Sequence, residues 1–163
     1  MQSFPKDFMI RPARREDAPL ILSFIQKIAA YEHMAEEVCA TAETVAQAIF
    51  DQNAAKALIG EYKGNPVGFA LFFQNFSTFT GRTGIHLEDI YVDESVRGMG
   101  FGKALFQAVA AEAVRLGCPR MEWACLDWNR PSIDFYIHMG AQPLNDWTTY
   151  RLTGDALKKA AIL

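Results

Sequence analysis

The chain has 163 residues, of which half are hydrophobic and 21% are charged, and its formal net charge is -3. This length and composition predict one globular domain with an ordinary buried core. The slightly acidic balance argues against nucleic acid as a partner, because phosphate backbones are bound by basic surfaces. Small cationic molecules fit this charge better.

Several classes of site and location are not expected. Cys39, Cys118 and Cys125 form no C-x-x-C pair, so neither a disulfide framework nor a zinc site is indicated. The three histidines are scattered without helical i, i+4 pairing, and we expect no metal. The first eight residues lack the apolar segment of a secretory signal, and no eighteen apolar residues run together. We therefore expect a reduced, cytoplasmic protein that does not associate with membranes.

Apolar runs and helical periodicity predict strands and helices in the order βααβββαβαββα. This order implies an α/β (α+β) fold in which a mixed central sheet is flanked by helices. The strands are predicted at Phe8–Arg11, Lys56–Tyr62, Val67–Phe76, Ile85–Val92, Arg120–Leu126, Ala141–Leu144 and Trp147–Leu152. The helices are predicted at Glu16–Tyr31, Thr41–Phe50 and Lys103–Leu116, after the cap Asp127–Ser132 up to His138, and at Gly154–Ala161.

A glycine-rich stretch, Arg97-Gly98-Met99-Gly100-Phe101-Gly102-Lys103, lies between the strand that ends at Val92 and the long helix. Glycines allow positive φ and a close approach of the backbone to a ligand. A strand, a glycine turn and a helix N-terminus aim N–H groups and a positive dipole end at one spot, which predicts a phosphate site. A Walker loop is excluded because Ala104 follows Lys103, and the dinucleotide fingerprint because the third glycine comes one residue early.

The remaining pattern, R-x-x-G-x-G after Leu87-Glu88-Asp89-Ile90-Tyr91-Val92, resembles the pyrophosphate loop of the GNAT N-acetyltransferases. The resemblance covers nearly the whole chain and is greatest to the diamine and thialysine acetyltransferases. It implies one acyl-CoA N-acyltransferase domain over residues 1–163, acetyl-CoA as co-substrate without a metal, a small amine as acceptor, and a homodimer. Further matching pieces are Ile10–Ala13, Tyr31–Met34, Asp127–Asn129, Phe135-Tyr136 and Gly140-Ala141.

The same resemblance implies roles for individual residues. Glu88 matches the glutamate proposed as base, and Tyr136 matches the tyrosine beside the thioester sulfur. The implied cofactor contacts are Ile90, Tyr91 and Val92 at the pantetheine arm, Arg97, Gly98, Met99, Gly100, Phe101, Gly102 and Lys103 at the pyrophosphate, and Asn129 and Tyr136. The implied substrate contacts are Tyr31, Glu32, Glu36, Phe79, Glu88 and Asp89.

The acceptor is left open between two kinds of amine. The polyamine enzymes carry Asp-Pro-Trp after the third strand, whereas this chain reads Ser77-Thr78-Phe79-Thr80-Gly81-Arg82. This loop is more similar to that of the thialysine-type relatives. The expected acceptor is therefore thialysine, a lysine-like amino acid, or a diamine or polyamine.

The chemistry fits two of these side chains. A primary amine near pKa 10.4 is protonated at pH 7, and freeing it costs about 4.6 kcal/mol. A carboxylate is a weak acceptor, so Glu88 would pass the proton through water or act in a partly desolvated site. A coenzyme thiolate near 8.5 can take a proton from a phenol near 10 at a cost of about 2 kcal/mol, which favours Tyr136 as acid. Direct transfer needs no covalent intermediate, and Cys125 has no neighbouring base.

Two other functions stay open from the sequence. A peptide N-terminus or a protein lysine as acceptor would need an open groove where residues Glu32–Glu37 lie. A non-catalytic acyl-CoA-binding module would bind coenzyme A tightly and transfer nothing. The presence of Glu88 and Tyr136 favours an enzyme.

Overall fold

A mixed five-stranded sheet organises the protein, whose computed structural model describes residues 5–161. Its strands are β1 (Phe8–Pro12), β2 (Lys56–Tyr62), β3 (Asn65–Ser77), β4 (Arg82–Val92) and β5 (Met121–Glu122). They lie side by side in chain order. Neighbours from β1 to β4 are antiparallel, and β5 is parallel to β4. The sheet is therefore a meander with one parallel strand added at its edge.

The helices are α1 (Ala18–Tyr31), α2 (Ala42–Ala46), α3 (Phe101–Arg115), α4 (Arg130–His138) and α5 (Gly154–Ala161). The predicted start of this helix at Thr41 is confirmed, since Thr41 is the N-cap of α2 and its side chain accepts a hydrogen bond from the Thr44 N–H at 3.2 Å. A π-helical turn over Gln47–Asp51 continues α2. α3 connects β4 to the parallel β5, as a crossover must. None of the described helices is long and apolar enough to cross a membrane.

Two predicted strands near the C-terminus were wrong. Residues 141–152 pair with no strand in the part of the chain that the structure describes, so Ala141–Leu144 and Trp147–Leu152 do not extend the sheet. Their alternating apolar residues suit a strand, but a strand needs a neighbouring edge that supplies hydrogen bonds. Instead, a turn forms in which the Trp147 N–H donates to the Leu144 carbonyl at 3.3 Å.

The fifth strand is also much shorter than the predicted Arg120–Leu126. Only Met121 and Glu122 pair with β4, opposite Ile85 and His86. The apolar composition of this run does not extend the strand, because β4 offers it pairing partners at these two positions alone among the described residues. The parallel ladder therefore ends early, and one edge of β4 is open beyond His86.

The chain forms two compact units that divide between Ala124 and Cys125. The first unit contains the sheet and the helices α1 to α3. The second contains α4, α5 and the irregular residues 141–152. Every strand that positions a predicted phosphate or amine contact lies in the first unit.

Buried apolar side chains hold helices on both faces of the sheet. On one face Phe24 of α1 stacks on Phe69 of β3, with ring centroids 5.3 Å apart. On the other face Leu105 and Val109 of α3 are fully buried. Burial of each such side chain contributes roughly 1.5–3 kcal/mol. The sheet is thus a rigid platform for the segments at its edge.

One arginine fixes the start of α1 to the sheet. Arg11 donates from its Nη atoms to both oxygens of Asp17 at 2.6 and 2.9 Å, and from Nε to Glu61 at 2.7 Å. The side chains of Asp17 and Glu61 are only 10% and 17% exposed. These hydrogen bonds hold the pKa of Asp17 below its usual range. Arg11 thereby neutralises two carboxylates that would otherwise repel each other.

We predict that Arg11→Met lowers the free energy of unfolding by about 3 kcal/mol, because it leaves two part-buried carboxylates without a cation. Arg15→Met is the matched control, since it breaks a bidentate pair with Asp51 whose partners are 57% and 51% exposed. The control should lose less than about 1 kcal/mol. Urea unfolding at pH 7 measures both. Equal losses would contradict the assignment.

Candidate active site

A β-bulge in β4 lies at the centre of the candidate site. Leu71 of β3 pairs with Asp89, and the next residue, Phe72, pairs with Leu87. Glu88 is therefore the extra residue that has no partner of its own across the ladder. Bulges of this kind redirect side chains and interrupt pairing.

The bulge directs several polar side chains to one face of the sheet. His86 stacks on Phe73, which lies opposite to it in the ladder, with ring centroids 4.9 Å apart. Asp89 lies opposite Leu71, which packs on the core beneath α1. Because Leu71 and Phe73 alternate regularly, His86 and Asp89 share a face although they are three residues apart. A regular strand would place them on opposite faces.

Glu88 is directed to the same face. Its Oε2 lies 3.5 Å from Nε2 of His86. The Glu88 side chain is 55% exposed, whereas Asp89 is half-buried. The extra residue therefore brings two carboxylates together, one exposed to solvent and one withdrawn from it.

The surroundings of Asp89 disfavour the negative charge of its carboxylate. Burial and, after it, the negative charges of Glu88 and Glu32 together raise its pKa from 3.8 to about 6. Glu32 follows the last turn of α1 and is half-buried, and burial raises its pKa as well. No side chain or main-chain group of residues 5–161 forms a hydrogen bond or ion pair with the Asp89 carboxylate. A cation is the group this carboxylate lacks.

The glycine stretch begins α3 with left-handed turns. Gly98 and Gly100 have φ of 81° and 85°, and Gly100 is the N-cap of α3. The first helical hydrogen bond runs from the Ala104 N–H to the Gly100 carbonyl at 3.0 Å. Among the described residues, no acceptor bonds the main-chain N–H groups from Gly98 to Lys103. A side chain on Gly98 would meet no described atom within 4 Å, and one on Gly100 or Gly102 would meet only Pro5 at 3.6 Å or Val92 at 3.9 Å, so there is space beside these glycines.

Phe101 anchors that row of donors to the core. Its ring is 1% exposed and stacks on Phe8 at 4.2 Å, and the ring of Tyr62 lies 5.0 Å away. The side chain of Phe101 is thus committed to packing, and only its main chain is available to a ligand. The anchor fixes the helix N-terminus relative to β1 and β2.

The Arg97 side chain is held by the protein itself. Its guanidinium lies 5.5 Å from the ring centroids of both Tyr31 and Tyr91. Its Nε donates to the Val92 carbonyl at 3.0 Å, and Nη1 lies 3.6 Å from the Glu94 carboxylate. Arg97 therefore links the end of α1 to the glycine stretch. Its main-chain N–H donates to the Glu94 carbonyl, so the accessible donors begin at Gly98.

The open edge of β4 joins the acidic group to the glycine stretch. Beyond His86 the described strands pair with β4 on the β3 side only. Ile90, Tyr91 and Val92 occupy this edge, and all three are half-buried. An unpaired strand edge presents N–H and C=O groups to an extended ligand.

Two predicted residues lie in the second unit. Asn129 is buried and is the N-cap of α4, where its Oδ1 accepts a hydrogen bond from the Ser132 N–H at 3.4 Å. Tyr136 lies at the end of the second turn of α4, and its half-buried ring is 5.4 Å from that of Phe135. Asn129 thus has a structural role in capping, and its predicted cofactor contact stays a prediction. The same holds for the acid role of Tyr136.

The other predicted residues are more exposed. Glu36 lies in a 3-10 turn, Ala35–Glu37, and Met99 is 44% exposed. Phe79 is 96% exposed at the tip of the β3–β4 hairpin. Six residues of strand, roughly 20 Å, separate Arg82 at that tip from Glu88. The structure therefore does not bring Phe79 to the acidic group.

Sequence reasoning missed two participants. His86 was considered only as a metal ligand, although its i, i+2 spacing from Glu88 on a strand signals a shared face. Lys27 of α1 pairs with Asp93 at 2.6 Å and lies 6.0 Å from the ring centroid of Tyr91. No local signal links Lys27 to β4. The described residues contain no group of His, Cys, Asp and Glu that could hold a metal ion.

Residues 23–141 match the acetyltransferase (GNAT) family, which covers most of the chain and parts of both units. The chain belongs to this family. It is 34% identical to a thialysine N-epsilon-acetyltransferase of Sus scrofa over 94% of this chain and 96% of that protein. It is 50% identical to an L-ornithine N5-acetyltransferase of Arabidopsis thaliana over 91 residues, which are 56% of this chain and 40% of that protein.

A solved structure agrees with the fold. A ribosomal-protein-alanine N-acetyltransferase from Brucella melitensis biovar Abortus 2308 superposes with a TM-score of 0.72, at 22% identity, over 90% of this chain and 99% of that chain. The mixed sheet with flanking helices is thus the GNAT fold. Acetyltransferases of this family use acetyl-CoA as the acetyl donor.

The first unit has features that fit acetyl-CoA. The accessible N–H groups from Gly98 to Lys103, at the positive end of the α3 dipole, suit the diphosphate. The open edge at Ile90 and Val92 suits the amide-rich pantetheine arm. Both features come from main-chain geometry that the glycines and the short β5 create.

We predict that Gly100→Ala weakens coenzyme A binding at least about tenfold, because a side chain at φ of 85° costs about 1–2 kcal/mol and shifts the N–H groups beside it. Gly117→Ala is the matched control. It creates the same strain at φ of 68° after the end of α3, where a side chain would meet nothing within 4 Å. Both variants should lose similar stability in urea unfolding. Calorimetry with coenzyme A should show wild-type affinity for the control, and an equal loss in both variants would contradict the prediction.

We predict that Asp89→Asn stabilises the protein at pH 7. With a pKa near 6 instead of the ordinary 3.8, folded Asp89 holds a proton between pH 4 and 6 that the unfolded chain releases. Its contribution to stability therefore falls as pH rises through that range, by about 3 kcal/mol in total. The stability difference between variant and wild type should grow from pH 4 to 6 and then level off in urea unfolding. Asp155→Asn, in an exposed helix turn, is the control; a pH-independent difference would contradict the assignment.

Proposed function

We propose that this acetyltransferase moves the acetyl group of acetyl-CoA directly to the primary amine of a small molecule. The acceptor class is thialysine, a lysine-like amino acid, or a diamine or polyamine. The observation that carries the proposal is the half-buried Asp89, which has no cation among the described residues and lies with Glu88 and Glu32 beside the open edge of β4. An alkylammonium group is the complementary ligand for such a site.

The charge of the site supports a small cationic acceptor. Three carboxylates near one another repel, and a bound ammonium would relieve that repulsion. The relative from Sus scrofa, which aligns over nearly its whole length, is named for thialysine, and the relative from Arabidopsis thaliana is named for L-ornithine. Both of these molecules are amino acids that carry a side-chain amine. The Ser77–Arg82 loop, which resembles the thialysine type, favours the amino acid over the polyamine.

Main-chain groups of the protein bind the acetyl donor. The N–H groups from Gly98 to Lys103 bind the diphosphate, and Ile90 to Val92 orient the pantetheine arm along β4. When bound, acetyl-CoA supplies an activated acetyl group as a thioester. Positioning the amine and the thioester together supplies much of the rate acceleration, because it converts an encounter into a reaction within one complex.

The remaining assignments rest on the resemblance. Tyr136 supplies a proton to the departing thiolate, which a phenol can do at a cost of about 2 kcal/mol. Asn129 contacts the cofactor in addition to capping α4. The protein acts as one catalytic domain over residues 1–163, as a homodimer, and in the cytoplasm.

An amine panel tests the proposal. Thialysine, lysine, ornithine, putrescine and spermidine, each offered with acetyl-CoA, should yield coenzyme A thiol with at least one of them, and a peptide N-terminus should not react. Tyr136→Phe should lower kcat about a hundredfold, with unchanged affinity for acetyl-CoA, because only the proton donor is lost. Tyr150→Phe removes the same hydroxyl from a side chain that is 90% exposed and is the control.

Two results would count against these assignments. Release of thiol with peptides alone would replace the small amine by a polypeptide acceptor. Full turnover of Tyr136→Phe would remove the acid role from that residue and leave the acceptor class untouched.

A further inference from the structure

We propose that Asp89, and not Glu88, accepts the proton of the bound ammonium group. The inference rests on the proposed function and deepens it, because it assigns the proton transfer that must precede attack on the thioester. It replaces the expectation that the glutamate of the Leu87-Glu88-Asp89 motif is the base.

The bulge gives the two carboxylates different surroundings. Glu88 is the extra residue of the ladder, and its side chain is 55% exposed. Asp89 is back in register with Leu71, on the face that α1 covers, and is half-buried there. Water stabilises an exposed carboxylate and weakens it as a base, whereas a withdrawn carboxylate is a stronger one. Geometry thus separates the pair into a weak and a strong proton acceptor.

The charges that face Asp89 act in the same direction. Glu88 from β4 and Glu32 from the end of α1 both favour its protonated form. Lys27 of α1 and Arg97 after β4 are already committed, since Lys27 pairs with Asp93 and Arg97 lies near two tyrosine rings and Glu94. The pKa of Asp89 is raised from 3.8 to about 6, which is two units closer to the pKa of an amine. Proton transfer from the ammonium to Asp89 is therefore about a hundredfold more favourable than transfer to an aspartate of ordinary pKa.

Transfer also removes charge from the site. An ammonium beside Asp89 is an ion pair, and movement of one proton to the carboxylate leaves a neutral amine and a neutral acid. A partly dehydrated site favours the neutral pair. Glu88 lies in contact with water, and its negative charge raises the pKa of Asp89. Glu88 therefore acts through Asp89, by making its carboxylate a stronger base, and does not itself accept the proton.

The step balances. An N–H bond of the ammonium breaks, an O–H bond forms on Asp89, and the electron pair left on nitrogen attacks the acetyl carbon. The bond between that carbon and sulfur breaks, the departing thiolate takes the phenol proton of Tyr136, and the second proton lost from nitrogen restores that phenol. Asp89 then returns its proton to water beside Glu88, and the carboxylate is restored.

The test is the pH profile of kcat/KM for the amine that the panel selects, measured with saturating acetyl-CoA. Wild type should rise through an acid limb near pH 6 and then stay level up to the pKa of the amine. Asp89→Asn should be about a hundredfold slower at pH 7 and rise tenfold per pH unit up to that pKa, because only the free amine in solution can then react. Asp89→Glu should recover the level region at a reduced rate.

Glu88→Gln should keep the wild-type shape, with its acid limb moved to lower pH, because the charge that raises the Asp89 pKa is gone. Asp155→Asn, exposed in α5, should match wild type throughout. A readout without turnover is carboxyl 13C NMR of the free protein, in which one aspartate signal should titrate near pH 6 and vanish in Asp89→Asn.

Three outcomes overturn the inference. A level profile for Asp89→Asn with only a raised KM would make Asp89 a binding residue, and a tenfold rise per pH unit in Glu88→Gln would return the base to Glu88. Absence of the NMR titration near pH 6 would remove its physical basis. Wild type that acetylates no amine would instead overturn the proposed function, and the inference with it.

Discussion

One inserted residue in β4 sets the arrangement of the candidate site. With Glu88 outside the ladder, the strand returns to register at Asp89, and the alternation of side chains changes phase at that point. His86, Glu88 and Asp89 consequently share one face, which a regular strand would not allow. The pairing with β5 also ends at His86, so the edge of β4 opens where the phase changes. Acidic side chains and free main-chain groups thus have a common structural origin.

Such a site costs stability, and the surrounding packing compensates for the loss. A half-buried carboxylate near two others is unfavourable without a cation. The stacked rings of Phe24 and Phe69 beneath it and of Phe8 and Phe101 beside the glycine stretch hold the strand and the helix terminus in place. Local repulsion within a rigid core is typical of functional sites. Binding of a cation relieves the repulsion between these carboxylates.

The parts of the site that the sequence predicted are those with local causes. Glycines before an amphipathic helix specify left-handed turns and free N–H groups wherever they occur, and the structure has both at Gly98 and Gly100. Thr41 and Asn129 were recognisable as caps because capping depends on residues three positions away. The long strands β2 to β4 were predicted from their apolar runs, because such a run is also a local feature of the sequence.

The parts that the sequence did not predict depend on distant partners. The bulge is a property of the β3–β4 ladder, and no residue of β4 alone shows that Glu88 is skipped. The ring contacts of Arg97 also come from afar, since Tyr31, 66 positions earlier in the chain, lies against its guanidinium together with Tyr91, and the predicted phosphate contact of Arg97 stays a prediction. Residues 141–152 alternate like a strand and still form none among the described residues, because pairing requires an edge that periodicity cannot reveal.

β4 and the turn after it also separate a region that attracts cations from a region that attracts anions. Glu88 and Asp89 make the middle of the strand attractive to an ammonium, whereas the accessible N–H groups after Arg97 make the start of α3 attractive to phosphate. Val92 lies three residues, roughly 10 Å, from Asp89, and the turn through Glu94–Val96 adds to that separation. The negative diphosphate is therefore kept from the carboxylates by the length of the segment between them. Because the thioester lies at the far end of the coenzyme from the diphosphate, a coenzyme that runs back along the open edge of β4 would bring its acetyl group to the amine without bringing its phosphates to the acids.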